Sequence, residues 1–174
     1  KTLMNINYIS DIAKIHSSVK IGPYCVIGDN VEIGAGCVLL SHVAVSGYTK
    51  IGKNNTFHPF SSIGSAPQDL KYKGEKSFLV IGDSNKFREN VTVNPGTEGG
   101  GLYTKIRDNC LFMVGSHIAH DCIIGSNVIL ANNATLAGHV EIDDYSIIGG
   151  NSAIHQFVKI GKNSMVGGMS GLEK

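Results

Sequence analysis

Ile21-Gly22-Pro23-Tyr24-Cys25-Val26-Ile27-Gly28-Asp29-Asn30-Val31-Glu32-Ile33-Gly34-Ala35-Gly36-Cys37-Val38-Leu39 carries a large apolar residue at every sixth position. The register reaches back through Ile15 to Ile9 and forward through Val45, Ile51 and Phe57 to Ile63. It resumes at Ile81, Phe87 and Val93, and runs again from Ile106 through Phe112, Ile118, Ile124, Leu130, Leu136, Ile142, Ile148, Ile154, Ile160 and Val166 to Leu172. A period of six matches neither the 3.6 of a helix nor the simple alternation of a strand, but it suits a parallel β-helix in which each hexad gives one short strand and one corner. Three hexads close a triangular coil, and coils stack at about 4.8 Å, the spacing of neighbouring strands. Glycine often follows the apolar residue (Gly22, Gly28, Gly34, Gly52, Gly82, Gly125, Gly149, Gly161), where a sharp bend is expected. A small or β-branched residue sits four positions after it, and Cys25, Cys37, Cys110 and Cys122 all occupy that inward position. They read as buried free thiols, because neither a C-x-x-C pair nor a zinc spacing is present.

Composition fits a repeat and excludes several function classes. Twenty-two glycines stand against four prolines and no tryptophan. Fifteen basic and 14 acidic residues leave a net charge of +1, so no broad field favours nucleic acid or an anionic membrane. No apolar run is long enough to span a membrane, no signal-peptide succession opens the chain, and a cytoplasmic setting without membrane insertion is expected.

Residues 18 apart become vertical neighbours in such a prism, which places His120, Gly138 and Gln156 in one column. His139 and His155 lie one residue from that line and His117 lies just before its corner, so four of the seven histidines gather at one edge. Counted in hexads, Ile63, Val93, Ile118, Leu136 and Ile154 share one column. The insertions at about 65–80 and 94–105 therefore leave the coil on the face that carries His120. The first contains Gln68-Asp69-Leu70-Lys71-Tyr72 and the second Gly99-Gly100-Gly101, loops suited to walling a polar ligand. His16, His42 and His58 occupy corners of earlier coils and are expected to be merely solvated.

An imidazole with an ordinary pKa near 6.5 can take a proton from a hydroxyl, and Asp121 is placed to orient it. Gly138, without a side chain, can present a backbone N–H to a developing oxyanion. No Ser or Cys nucleophile with a partner base is evident, so the pattern points to acyl transfer by direct attack on a hydroxyl.

The segments His117-Ile118-Ala119-His120-Asp121-Cys122, Leu130-Ala131-Asn132-Asn133-Ala134-Thr135-Leu136-Ala137-Gly138-His139-Val140 and Ile154-His155-Gln156-Phe157 resemble the acyl-[acyl-carrier-protein]:UDP-N-acetylglucosamine O-acyltransferases that begin lipid A biosynthesis. The two loop motifs match as well. Periodicity does not give handedness, and the general crossover rule would favour right-handed winding. The resemblance implies an all-β, single-stranded left-handed parallel β-helix over 1–174, lacking the family's C-terminal helical region. It further implies a homotrimer with active sites between subunits, UDP-N-acetylglucosamine as acceptor, and an (R)-3-hydroxyacyl group delivered by acyl carrier protein, with no metal and no cofactor. Carried over by motif, His120 is the base, Gly138 the oxyanion donor and Asp121 the supporting carboxylate. Asp69, Leu70, Lys71, His117, His139, His155 and Gln156 contact substrate or position the base. Gly149-Gly150 and Gly167-Gly168 stack as bare pairs, and the resemblance makes Gly168 the limit on acyl length, pointing to a 3-hydroxymyristoyl-type chain. The sequence departs from the family at Asn94-Pro95-Gly96, where many members carry His-Arg-Gly.

Three rivals remain. The sister N-acyltransferase shares the hexads and a related histidine. A γ-type carbonic anhydrase needs three histidines converging on zinc from two subunits, whereas His117 and His120 are three rather than five apart. An ice-binding solenoid needs ladders of threonine at repeat spacing, and Thr49, Thr56, Thr92, Thr97, Thr104 and Thr135 form none.

Overall fold

The computed structural model describes residues 6–174; the first five residues of the domain expected over 1–174 lie outside the described residues. The chain winds as a left-handed parallel β-helix with three faces, which are parallel sheets of nine, eight and eight strands. Right-handed crossovers arise where a long connection, usually a helix, returns to the same sheet. Here each return passes over two other short strands, so the rule's physical basis is missing.

Coil pairing follows the hexad count. On the nine-stranded face Ile63 pairs with Val93, Val93 with Ile118, Ile118 with Leu136 and Leu136 with Ile154. The inward residues of all three faces form one column, with Ile27, Leu39, Ile63, Ile118 and Leu136 fully buried. Phe57, Phe87 and Phe112 stack inside the eight-stranded face that precedes it, with centroids 4.7 and 4.9 Å apart. All four cysteines are free and buried. Burial pushes the Cys122 thiol up to about 12 and the Cys110 thiol to about 11, which makes them inert fillers. Between Cys37 and Cys110 the inward position holds Asn55 and Asn85. Asn55 Oδ1 accepts the Asn85 N–H (2.9 Å) and Asn85 Oδ1 the Cys110 N–H (2.8 Å), so these buried amides are satisfied coil to coil.

The bend is not where the glycines predicted it. The left-handed φ falls three residues after the apolar position, at Asn54, Asn90, Asn109, Asn127, Asn133, Asn151 and Asn163 and also at Asp121, His139 and Phe157. Asparagine tolerates that region better than most residues. The glycines directly after the apolar residue serve close approach instead: a Cβ on Gly34 would lie 2.6 Å from the Gly52 carbonyl oxygen, and one on Gly82 2.7 Å from that of Arg107.

The repeat is interrupted twice, between the strands Ser62–Ile63 and Phe78–Ile81 and between Thr92–Val93 and Tyr103–Ile106. Strand structure therefore resumes at Phe78 and Tyr103. Both four-residue strands continue the pairing begun at Tyr48–Ile51, and their first residues stack as an aromatic ladder, with Phe78 and Tyr103 centroids 4.9 Å apart. Both loops leave the face that carries Ile118, beside the corner that holds His120.

Candidate active site

His120 and Asp121 occupy the corner after the strand His117–Ile118. The left-handed φ of Asp121 (61°) belongs to the repeat, so the fold supplies the turn that sets the pair. His120 Nδ1 lies 2.7 Å from Asp121 Oδ2. The carboxylate is buried, with its side chain 1% exposed, and accepts two further hydrogen bonds, from the Thr97 N–H to Oδ1 (2.8 Å) and the Thr97 hydroxyl to Oδ2 (2.6 Å). An ionised carboxylate only accepts, so Nδ1 carries the imidazole proton and Nε2 keeps its lone pair. Nε2 lies 3.9 Å from Asp69 Oδ2, a carboxylate that would stabilise the imidazolium formed on proton uptake.

Gly138 lies directly beneath this ring, where a Cβ would come within 2.6 Å of His120 Nε2. Its side chain is excluded by the imidazole itself rather than only by an approaching ligand. The Gly138 carbonyl accepts the Phe157 N–H (3.2 Å), while among the described residues no acceptor takes the Gly138 N–H. His139 packs edge-on to His120 at 5.0 Å between centroids and stacks on Phe157 at 4.3 Å. Burial lowers the His139 pKa against the opposing pull of Asp121.

Next to the pair opens a cleft of about 800 Å³, lined by Asp69, Lys71, Glu75, Thr97, Glu98 and His139 among others. Its two loops are fastened together. Glu75 accepts the Glu98 N–H (3.1 Å) through one oxygen and the Lys73 N–H (2.8 Å) through the other. Asn94 Nδ2 donates to the Ser65 (3.0 Å) and Ala66 (3.4 Å) carbonyls, so the family's basic position here holds a clasp between loop bases.

The remaining expected residues divide. Lys71 is exposed at the cleft, its N–H held by Asp69 Oδ1 (2.9 Å), whereas Leu70 points fully into solvent. His117 faces outward from its strand, hydrogen-bonded to Thr92 Oγ1 (2.7 Å), and burial lowers its pKa. His155 and Gln156 are exposed two coils beyond His120, around a separate shallow hollow. Gly168 follows the strand Met165–Val166, at a different corner from His120 within one chain. Of the earlier histidines, His42 is stacked between Tyr24 and Phe60 and His58 faces Glu89 Oε1 at 3.4 Å, so neither is merely solvated.

Hexad reasoning missed Thr97 and Glu75, because the loops lie outside its register, and it missed Thr104, which it places in the second loop but which lies in the strand Tyr103–Ile106. Phe157 could have been found, since it is 18 residues after His139 at the same corner position.

His120, Asp121 and His139 also bring ligand-type atoms within 4.8 Å of one another, two histidines and one carboxylate. Both Asp121 oxygens already accept hydrogen bonds within the chain.

A β-helix built from six-residue repeats is the fold class of the hexapeptide transferases, and the family profile described as bacterial transferase hexapeptide (six repeats) matches residues 12–47 and 103–138. Solved structures narrow the class. LpxA from Acinetobacter baumannii is 51% identical with a TM-score of 0.96, the match covering 98% of this chain and 66% of that one. UDP-N-acetylglucosamine acyltransferase from Campylobacter jejuni is 40% identical (TM-score 0.94; 98% and 67% covered), and LpxA, a UDP-N-acetylglucosamine acyltransferase from Bacteroides fragilis, is 40% identical (TM-score 0.95; 99% and 68%). The chain belongs to the UDP-N-acetylglucosamine acyltransferase family. It spans 66% of the length of the Acinetobacter protein.

Proposed function

We propose that this chain transfers an (R)-3-hydroxyacyl group from acyl carrier protein to the 3-hydroxyl of UDP-N-acetylglucosamine, the first step of lipid A biosynthesis. The observation that carries this reading is the Asp121–His120 pair, whose free Nε2 lies beside a cleft walled by Asp69, Lys71 and Thr97. His120 Nε2 takes the proton of the acceptor hydroxyl as its oxygen bonds to the thioester carbonyl carbon. Negative charge collects on the carbonyl oxygen, toward which the Gly138 N–H is free to donate. Collapse breaks the carbon–sulfur bond, and the His120 imidazolium returns its proton to the leaving thiolate. Asp121 and Asp69 stabilise the transient cation from its two sides. Leu70, Lys71, His117, His139, His155 and Gln156 complete the substrate contacts in this reading. The setting is the cytoplasm; among the described residues no helix is long and apolar enough to cross a membrane.

Gly168 and the His120 corner lie apart in one chain, which supports a homotrimer in which the bare Gly150–Gly168 strip of one subunit meets the catalytic corner of the next. The test is incubation of the chain with UDP-N-acetylglucosamine, its 3-amino analogue and a panel of 3-hydroxyacyl carrier proteins, with mass analysis of product. An O-acylated sugar nucleotide is expected. Acylation of the amino analogue alone would assign a 3-amino acceptor, turnover of UDP-3-acylglucosamine in a parallel incubation would assign the sister reaction, and stoichiometric zinc with CO₂ hydration would replace the acyltransferase reading. His120→Ala is expected to lower kcat by about 10²–10⁴ with modest change in sugar-nucleotide binding.

A further inference from the structure

We propose that Thr97 is a positioning residue for proton transfer, acting through Asp121 to hold His120 as the Nδ1–H tautomer; this rests on the reading of His120 as base. A buried carboxylate is costly unless its lone pairs are filled, and Thr97 fills them on both oxygens, with its N–H at 2.8 Å from Oδ1 and its hydroxyl at 2.6 Å from Oδ2. Oδ2 is the same oxygen that accepts from His120 Nδ1 at 2.7 Å. The torsion that orients a carboxylate is broad and poorly restrained by itself. Two donors from one residue pin that plane, and the pinned Oδ2 fixes the imidazole.

Thr97 is itself held. Its backbone is extended (φ −126°, ψ 162°), and its carbonyl accepts the N–H of Gly100 (3.1 Å) and of Leu102 (2.8 Å), which closes the 3-10 turn Glu98–Gly100 behind it. Gly100 must be bare, because a Cβ there would fall on the Asp121 carboxylate. From the opposite side Thr104 Oγ1 accepts the Asp121 N–H at 2.8 Å. The second loop is thus the clamp on the proton-transfer pair as well as a wall of the cleft, and only the threonine hydroxyl and N–H reach the carboxylate from it.

The variants are Thr97→Val, which keeps shape and N–H but removes the hydroxyl, and Thr97→Ser, which restores it. Thr97→Val is expected to lower kcat about tenfold with KM for UDP-N-acetylglucosamine changed less than about twofold, and Thr97→Ser to recover most of the rate. With ¹⁵N-labelled histidine, NMR of the unmodified chain should show neutral His120 as Nδ1–H, and Thr97→Val should show a mixture of tautomers. Unmodified chain with neutral His120 protonated on Nε2 would overturn the proposal, whether or not Thr97→Val folds. A Thr97→Val protein with full kcat and an unchanged tautomer, beside an inactive His120→Ala, would overturn the role of Thr97 alone. Full turnover by His120→Ala would remove the base reading and this proposal with it.

Discussion

Gly138 and His120 occupy one volume between them. Adding a methyl at 138 would drive atoms to 2.6 Å from Nε2, so the ring must swing away from Asp121 and from the free N–H of residue 138. Gly138→Ala is therefore expected to lower kcat by about 10²-fold or more, because displacement of a reacting group by about 1 Å costs that much. The melting temperature should change little, since the ring can rotate into the cleft. Turnover within a few-fold of the parent protein would show that the ring need not stay where it lies. His117 gives a second prediction at this scale. Burial holds its pKa below 6.5, so as pH falls the unfolded chain binds a proton before the folded one does. The folded state keeps its full stability above about pH 6.5 and loses part of it as pH drops toward the lowered value. His139 is shifted in the same direction by burial. Glu75 and Glu89, held low by backbone and Arg88 hydrogen bonds, act in a more acidic window. Melting temperature measured between about pH 7.5 and 5.5 should fall, and His117→Gln should flatten the slope. An identical slope in the variant would assign the loss to other groups.

The element of this protein is the corner. Each joins two strands in about four residues and has two demands that the repeat meets with different amino acids: a left-handed φ at one position, often asparagine, and close coil contact two residues earlier, often glycine. The two kinds of glycine are separable by substitution. Gly34→Ala puts a Cβ 2.6 Å from the Gly52 carbonyl, where backbone must move, and should destabilise by about 1–3 kcal/mol. Gly28 occupies the same repeat position, but a Cβ there meets nothing nearer than Ser46 Cα at 3.6 Å, so Gly28→Ala should lie within about 0.5 kcal/mol of the parent. Denaturant midpoints compare them directly. Equal effects would mean that coil spacing relaxes freely and that glycine is kept there for some other reason.

At the scale of the whole molecule, the His120 corner and the bare strip ending at Gly168 run along different edges of the prism, so a complete site in the proposed reading needs a second copy. Light scattering should give a trimer, and a monomer at micromolar concentration would remove the shared site. In the trimer, Gly168→Met should shift selectivity toward shorter acyl chains. Each methylene that loses its buried place costs about 0.8 kcal/mol, so several amount to orders of magnitude in kcat/KM between long and short donors. An unchanged length preference would place the tail elsewhere.

The sequence by itself determined the coil. A strict period of six fixes which residues point inward, hexad counting across two interruptions fixes the pairing of Ile63, Val93, Ile118 and Leu136, and a spacing of 18 puts Gly138 beneath His120. These are properties of a one-dimensional repeat, in which every contact is with the coil before or after. Tertiary structure decided what the repeat does not encode. The loops over 64–77 and 94–102 have no period, so that Thr97 reaches Asp121, Glu75 clasps Glu98 and Asn94 ties the loop bases follows only from how two irregular segments pack together. The reason for the glycines was likewise hidden, because a bend and a close approach leave the same letter in a sequence, and only the neighbouring coil's carbonyl distinguishes them.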